Sequence, residues 1–187
     1  MSIFFLKKLV DVSKYSNDGK ELSNEHPTPI EIRYKKVRGE YSVSDTDMPK
    51  QVPNSVSIYN NPRYHDLYYE VKKKLEDQTN LRLYPTYYYE RLYRPGNVLT
   101  KHTDREACEV SVSLNLSSSL KKPWAIYFEQ GTIVKYLPKP GDAVLYNGVF
   151  IPHWRDPMQG GTEDYYHQVF FHYVDADGPF VHRAFDQ

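Results

Sequence analysis

The chain has 187 residues, enough for one domain with a substantial core. Its 24 basic and 24 acidic side chains balance to a formal net charge of zero, which removes any general drive toward nucleic acid or an anionic membrane. A single cysteine, Cys108, excludes an internal disulfide framework.

The opening MSIFFLKKLV is apolar only from Ile3 to Leu6 before two lysines, shorter than the apolar segment of a secretory signal. No stretch approaches membrane-spanning length, so the expectation is a cytoplasmic protein with neither membrane nor nucleic acid as a partner. The segment up to residue 55 is polar and broken by Pro27, Pro29, Pro49 and Pro53, although IEIRYKKV (Ile30 to Val37) reads as a strand. SVSIYNN (Ser55 to Asn61) reads as another. Pro62 then opens PRYHDLYYEVKKKLEDQT, where Leu67, Val71 and Leu75 recur every four residues and predict an amphipathic helix.

From Leu81 the pattern turns to strands. TYYYERLYRPGN predicts a strand ending in a Pro-Gly turn, Glu109 to Leu116 alternates, and PWAIYF and TIVKYL resemble the arms of a hairpin. AVLYNG follows a Pro-Lys-Pro-Gly-Asp turn, and YYHQVFFHYV (Tyr165 to Val174) closes the series. Six or so short strands and a flanking helix predict a mainly β domain, an antiparallel sandwich or double-sheet jelly roll. The 18 tyrosines suit such a sheet-rich domain with a tyrosine-lined surface or cavity. No Gly-rich strand-to-helix loop is present, which argues against phosphate-cradling nucleotide folds. Residues 1–187 read as one domain, with N-terminal strands and supporting helix over 1–80, a core over 81–175 and a tail over 176–187.

KHTDREACEVSVSLNL places His102 and Asp104 two positions apart at the entrance of the alternating strand. On a strand, i and i+2 point to one face, so an imidazole nitrogen and a carboxylate oxygen can aim at one point. About fifty residues further on, GDAVLYNGVFIPHWRDP brings His153 to the end of another strand. If the two strands lie side by side, three ligands occupy one face of an octahedron and leave the other positions open, as in two-histidine, one-carboxylate iron sites. Read alone, the HxD pair is far more often a surface polar pair than a metal site.

YRPGNVLTKHTD, GDAVLYNGVFIPHW and the aromatic last strand together resemble the double-stranded β-helix core of the Fe(II)- and 2-oxoglutarate-dependent oxygenases, and the prolyl-4-hydroxylase-like branch in particular. The resemblance spans about residues 81–175. It implies His102, Asp104 and His153 as iron ligands, Fe(II) and 2-oxoglutarate as cofactor and cosubstrate, O2 as a reactant, and ascorbate as an accessory reductant. Because Asp104 stands where related halogenases carry a small residue, the resemblance implies a hydroxylase. Its leading substrate is a prolyl residue of a peptide or protein, the alternatives being free proline, another amino acid or a small metabolite.

The family's distal cosubstrate carboxylate takes a cation, usually from the start of the last core strand, and here the chain departs from the pattern. Tyr166 or His167 occupies that place, and His167, when protonated, is one candidate for the cation, a weaker and pH-dependent clamp. Arg155, two residues past His153, offers a planar fork that matches a carboxylate; Lys121 or Lys122 is a third possibility. Tyr93 and Ser113 are expected beside the cosubstrate, and Tyr89, Arg105 and Trp154 beside the substrate, with ordinary core packing the competing account of Tyr89 and Trp154. Arg105 and Glu109 either pair with each other or rim the entrance. Cys108 reads as a small core residue. Two rival readings remain: a metal-free jelly-roll module whose tyrosines stack on carbohydrate or peptide, and a cupin-like metal enzyme that does not use 2-oxoglutarate.

Overall fold

The computed structural model describes residues 2–15, 51–53 and 55–186, and the strand expected at Ile30 to Val37 lies outside them. The described chain runs β1 (Phe4–Leu6), β2 (Val56–Tyr59), α1 (His65–Thr79), β3 (Leu83–Tyr93), β4 (Leu99–His102), β5 (Val110–Ser118), β6 (Ile126–Gln130), β7 (Thr132–Tyr136), β8 (Ala143–Tyr146), β9 (His153–Arg155) and β10 (Tyr166–Asp175). A six-stranded sheet has the order β1-β8-β5-β10-β3-β2, and a four-stranded sheet the order β4-β9-β6-β7. From β3 onward the chain passes back and forth between the two sheets. This winding makes the expected jelly roll a double-stranded β-helix, with β1 and β2 added at the two edges of the larger sheet.

Local chemistry explains the element ends. The Asn61 side chain accepts a hydrogen bond from the Arg63 amide at 3.2 Å, and Pro62–Tyr64 forms a short 3-10 turn that leads into α1. The helix stops at Asn80, whose φ of 56° is left-handed. Gly131, with a φ of 74°, makes the tight turn between β6 and β7.

The apolar stripe of α1 (Leu67, Val71 and Leu75) packs on the outer face of the larger sheet against Val112, Leu114, Val169 and Phe171. Burial of each such side chain is worth about 1.5–3 kcal/mol. The turn that leads into α1 closes over a buried polar cluster. His167 Nε2 lies 2.8 Å from Glu90 Oε2, the Tyr64 hydroxyl donates to that oxygen at 2.9 Å, and Asn61 Nδ2 donates to Glu90 Oε1 at 2.6 Å. No helix among the described residues is long and apolar enough to cross a membrane.

Candidate metal centre

Strands β4 and β9 are antiparallel neighbours, and their register sets His102 directly opposite His153, with ring centroids 4.3 Å apart. Asp104 is not on a strand. It lies past the end of β4, and a 3-10 turn at Glu106–Cys108 separates it from β5. The expectation that His102 and Asp104 stand at the entrance of the alternating strand is therefore corrected: they stand at the exit of the strand before it.

Two loops turn the Asp104 carboxylate inward. The Asp104 amide donates to Gly148 O at 2.8 Å, and the Gly148 amide donates to Cys108 O at 3.2 Å. A Cβ on Gly148 would lie 2.5 Å from Cys108 O and 2.6 Å from Asp104 Oδ2, so only glycine permits this approach.

His102 Nε2 lies 3.3 Å from Asp104 Oδ1, and His153 Nε2 lies 3.6 Å from Asp104 Oδ2. One ligand atom from each of the three residues falls within 4.8 Å of the others, the only such group among the described residues. Each imidazole is fixed from behind: His102 Nδ1 donates to Thr100 O at 2.7 Å and His153 Nδ1 to Ile151 O at 3.0 Å. That bond selects the tautomer whose free Nε2 faces the centre, the usual support for a metal-binding histidine. The cavity between them is about 10 Å³, room for an ion or one water. This donor set and spacing fit a divalent metal with bonds of about 2 Å.

The charges agree. Burial would raise the Asp104 carboxyl, but the His102 hydrogen bond and the neighbouring imidazoles hold it below its usual range. Burial pushes His153 down, toward the neutral ligand form. Burial also opposes charge on His102, yet the Asp104 and Thr100 bonds outweigh it and raise that imidazole.

The inner ends of the sheets hold a second cluster. Arg155 is only 1% exposed. Its Nη1 donates to Trp124 O at 2.8 Å, and its Nη2 donates to Gln168 Oε1 at 2.8 Å and to the Tyr166 hydroxyl at 3.3 Å. Its guanidinium lies over the Trp124 and Tyr166 rings at 4.7 and 4.8 Å. The Gln168 amide also donates to Ser113 Oγ, which ties that serine to the arginine. Arg155 Nε and the Tyr93 hydroxyl are buried without a partner. The Tyr93 ring meets Trp124 edge-on at 5.0 Å, on the same aromatic wall that carries Arg155. Unsatisfied buried donors beside a guanidinium suit a carboxylate ligand.

Not every expected residue joins these clusters. His167 does not: it is on the opposite face of β10 from Tyr166 and Gln168, with its Nε2 taken by Glu90 beside Tyr64. Lys121 and Lys122 are exposed. Trp154 alternates with the inward-facing His153 and Arg155, so it stacks on Tyr127 at 5.5 Å on the other face, with Lys101 above it at 5.0 Å. It does not line the cavity between His102, Asp104 and His153. Tyr89 does line the metal cavity, together with Leu99, Tyr146 and Phe170. Arg105 is exposed, over the Tyr87 ring at 4.6 Å and paired with Asp186 of the C-terminal segment, whereas Glu109 accepts from the Asp175 amide at 2.9 Å. Arg105 and Glu109 do not pair with each other. Cys108 is buried, and burial pushes its thiol up to about 12, as suits a packing residue.

His172 also lines the metal cavity, a place that sequence reasoning passed over. Its Nδ1 donates to Ser111 Oγ at 2.9 Å, because that hydroxyl spends its own proton on Cys108 O at 2.9 Å. Its Nε2 is left as a buried acceptor without a partner, and burial lowers the imidazole to about 4. The available signal was its even spacing from Gln168 and Phe170 on β10.

No protein-family model matches the chain, and no curated protein matches it in sequence. Its fold, however, is that of the 2-oxoglutarate–Fe(II) oxygenases. A Pseudomonas putida prolyl-4-hydroxylase superposes with a TM-score of 0.59 at 12% identity, over 91% of each chain. SnoN, a non-haem α-ketoglutarate-dependent epimerase from nogalamycin biosynthesis, gives a TM-score of 0.64 at 11% identity over 93% of this chain and 78% of its own. HygX from Streptomyces hygroscopicus, solved with nickel and 2-oxoglutarate bound, gives 0.59 at 12% identity over 94% and 83%.

Proposed function

We propose that the chain is an Fe(II)- and 2-oxoglutarate-dependent oxygenase that hydroxylates a C–H bond, with a proline-bearing substrate as the leading reading. The convergence of His102, Asp104 and His153 on one ion-sized cavity carries this reading. The buried Arg155 and Tyr93 cluster supports 2-oxoglutarate as the cosubstrate. When bound, iron with 2-oxoglutarate and O2 supplies the oxidation: R–H becomes R–OH while 2-oxoglutarate becomes succinate and CO2.

The chain's own residues would hold and orient. His102 and His153 offer Nε2 and Asp104 a carboxylate oxygen. The Arg155 fork and the Tyr93 hydroxyl would take the distal carboxylate, with Gln168 and Ser113 fixing the arginine. Tyr89 and Phe170, stacked at 4.5 Å, would wall the cavity against water and support the substrate over the metal. Ascorbate enters as an accessory reductant.

Incubation with Fe(II), 2-oxoglutarate, O2 and a proline-containing peptide library is expected to yield succinate and a product heavier by one oxygen. Absence of succinate under every condition would contradict the reading. Arg155→Ala is expected to raise the 2-oxoglutarate requirement at least about tenfold, since a charge-assisted bidentate contact is lost; an unchanged requirement moves the carboxylate elsewhere.

A further inference from the structure

A second guanidinium lies inside the sandwich. Arg91 is 2% exposed and shares the inward face of β3 with Tyr89 and Tyr93. Its Nε donates to Ser57 Oγ at 2.9 Å and its Nη1 to Gln51 Oε1 at 3.2 Å. Its guanidinium lies over the rings of Tyr89, Tyr93 and Phe170 at 5.2, 5.7 and 5.9 Å. Every one of these partners is neutral, and no carboxylate pairs with Arg91 among the described residues. A desolvated cation without a counter-charge is unfavourable until an anion arrives.

The position says which anion. Gln51, Tyr89 and Phe170 touch Arg91 on one side and line the His102–Asp104–His153 cavity on the other. Arg155 lies against Trp124 and Tyr166, where the cosubstrate carboxylate is proposed, and Tyr93 is shared, its ring under Arg91 and its edge against Trp124. Two buried guanidinia, only one of them beside the ligand cavity through Gln51, suit two carboxylates.

We propose that Arg91 binds a carboxylate of the substrate itself, so that the substrate is a small acid or the C-terminal residue of a peptide. This rests on the oxygenase reading and narrows it: the prolyl group is free proline or a C-terminal proline, not an internal residue. The carboxylate completes the Arg91 fork, and the flat faces of Tyr89 and Phe170 carry the apolar part beside the metal.

The test compares two matched probe pairs, L-proline with L-prolinamide and benzoate with benzamide, by thermal shift and calorimetry on the full chain without metal. At least one carboxylate is expected to bind about tenfold or more tightly than its amide, through a charge-assisted hydrogen bond. That ratio is expected to fall to near one in Arg91→Gln and to survive in Arg155→Gln. Arg91→Met is expected to melt no lower than wild type, since it removes an uncompensated buried charge. No carboxylate preference in the wild type overturns the proposal. So does a sharply destabilised Arg91→Met, which would mark a structural ion pair with a carboxylate from residues 16–50. A loss of 2-oxoglutarate affinity in Arg91→Gln equal to that in Arg155→Gln overturns it too, by assigning Arg91 to the cosubstrate. Failure to form an Fe(II)–2-oxoglutarate complex, with the carboxylate preference intact, removes the oxygenase reading alone and leaves the Arg91 anion site standing.

Discussion

Asp104 reaches the centre from a loop, and Gly148 is the residue that lets it. Gly148→Ala would drive a methyl group against the Asp104 carboxylate and Cys108 O. Metal affinity, measured by Ni(II) or Zn(II) calorimetry, is expected to fall about 10–100-fold, the range for loss of a ligand's supporting contacts. Unchanged affinity would show that the glycine is incidental. His172 gives a prediction of the opposite kind, about acid. Its ring titrates at about 4 in the fold against an ordinary 6.5, so between those values the unfolded chain binds the extra proton. Its share of stability is full above pH 6.5 and declines toward pH 4, by up to about 3 kcal/mol. In His172→Phe the denaturation midpoint should fall less between pH 7 and pH 5 than in the wild type; an identical fall would contradict the assignment. At this scale the candidate metal ligands were legible because HxD and a distant His carry their chemistry in their identity. Trp154 and His167 were misplaced for want of strict alternation: once His153 and Arg155 point in, Trp154 points out, and Tyr166 with Gln168 does the same to His167.

Strand β5 shows what the pattern conceals at the level of elements. Its apolar residues, Val110, Val112, Leu114 and Leu116, face α1, and its small polar ones line the space between the sheets. The alternation was visible, but which face is inside depends on the helix that covers the apolar side. Strands β4 and β9 carry or flank all three candidate ligands, yet they are too short, at 4 and 3 residues, for a period-two signal. The α1 stripe was legible from its spacing alone. The polar cluster beside its first turn was not, because Glu90 and His167 are 77 positions apart. Both are at most 1% exposed, so Glu90→Ala leaves His167, Tyr64 and Asn61 without their acceptor. The expected cost is about 3–5 kcal/mol in urea unfolding, with metal affinity kept. A cost below about 1 kcal/mol would contradict a buried locking pair.

Across the whole molecule, the larger sheet separates two jobs. Its outer face takes the helix and supplies stability, and its inner face carries aromatic and polar side chains, with β9 and β10 serving both the candidate metal cavity and the Arg155 cluster. The C-terminal segment, read from the sequence only as a tail, is tied to the loop after Asp104 through Arg105–Asp186 and through Arg183 Nε to Glu106 at 3.0 Å. Such long-range closure leaves no local trace in sequence.

The account stands on one shared ion held with 2-oxoglutarate, and anaerobic absorption spectroscopy tests that directly. Wild-type protein given Fe(II) and 2-oxoglutarate without O2 should develop a weak visible charge-transfer band that saturates at one equivalent of iron, and His102→Ala should lose it. A wild-type sample that binds Fe(II) and 2-oxoglutarate with no such band, or a band that persists in His102→Ala, would contradict the account.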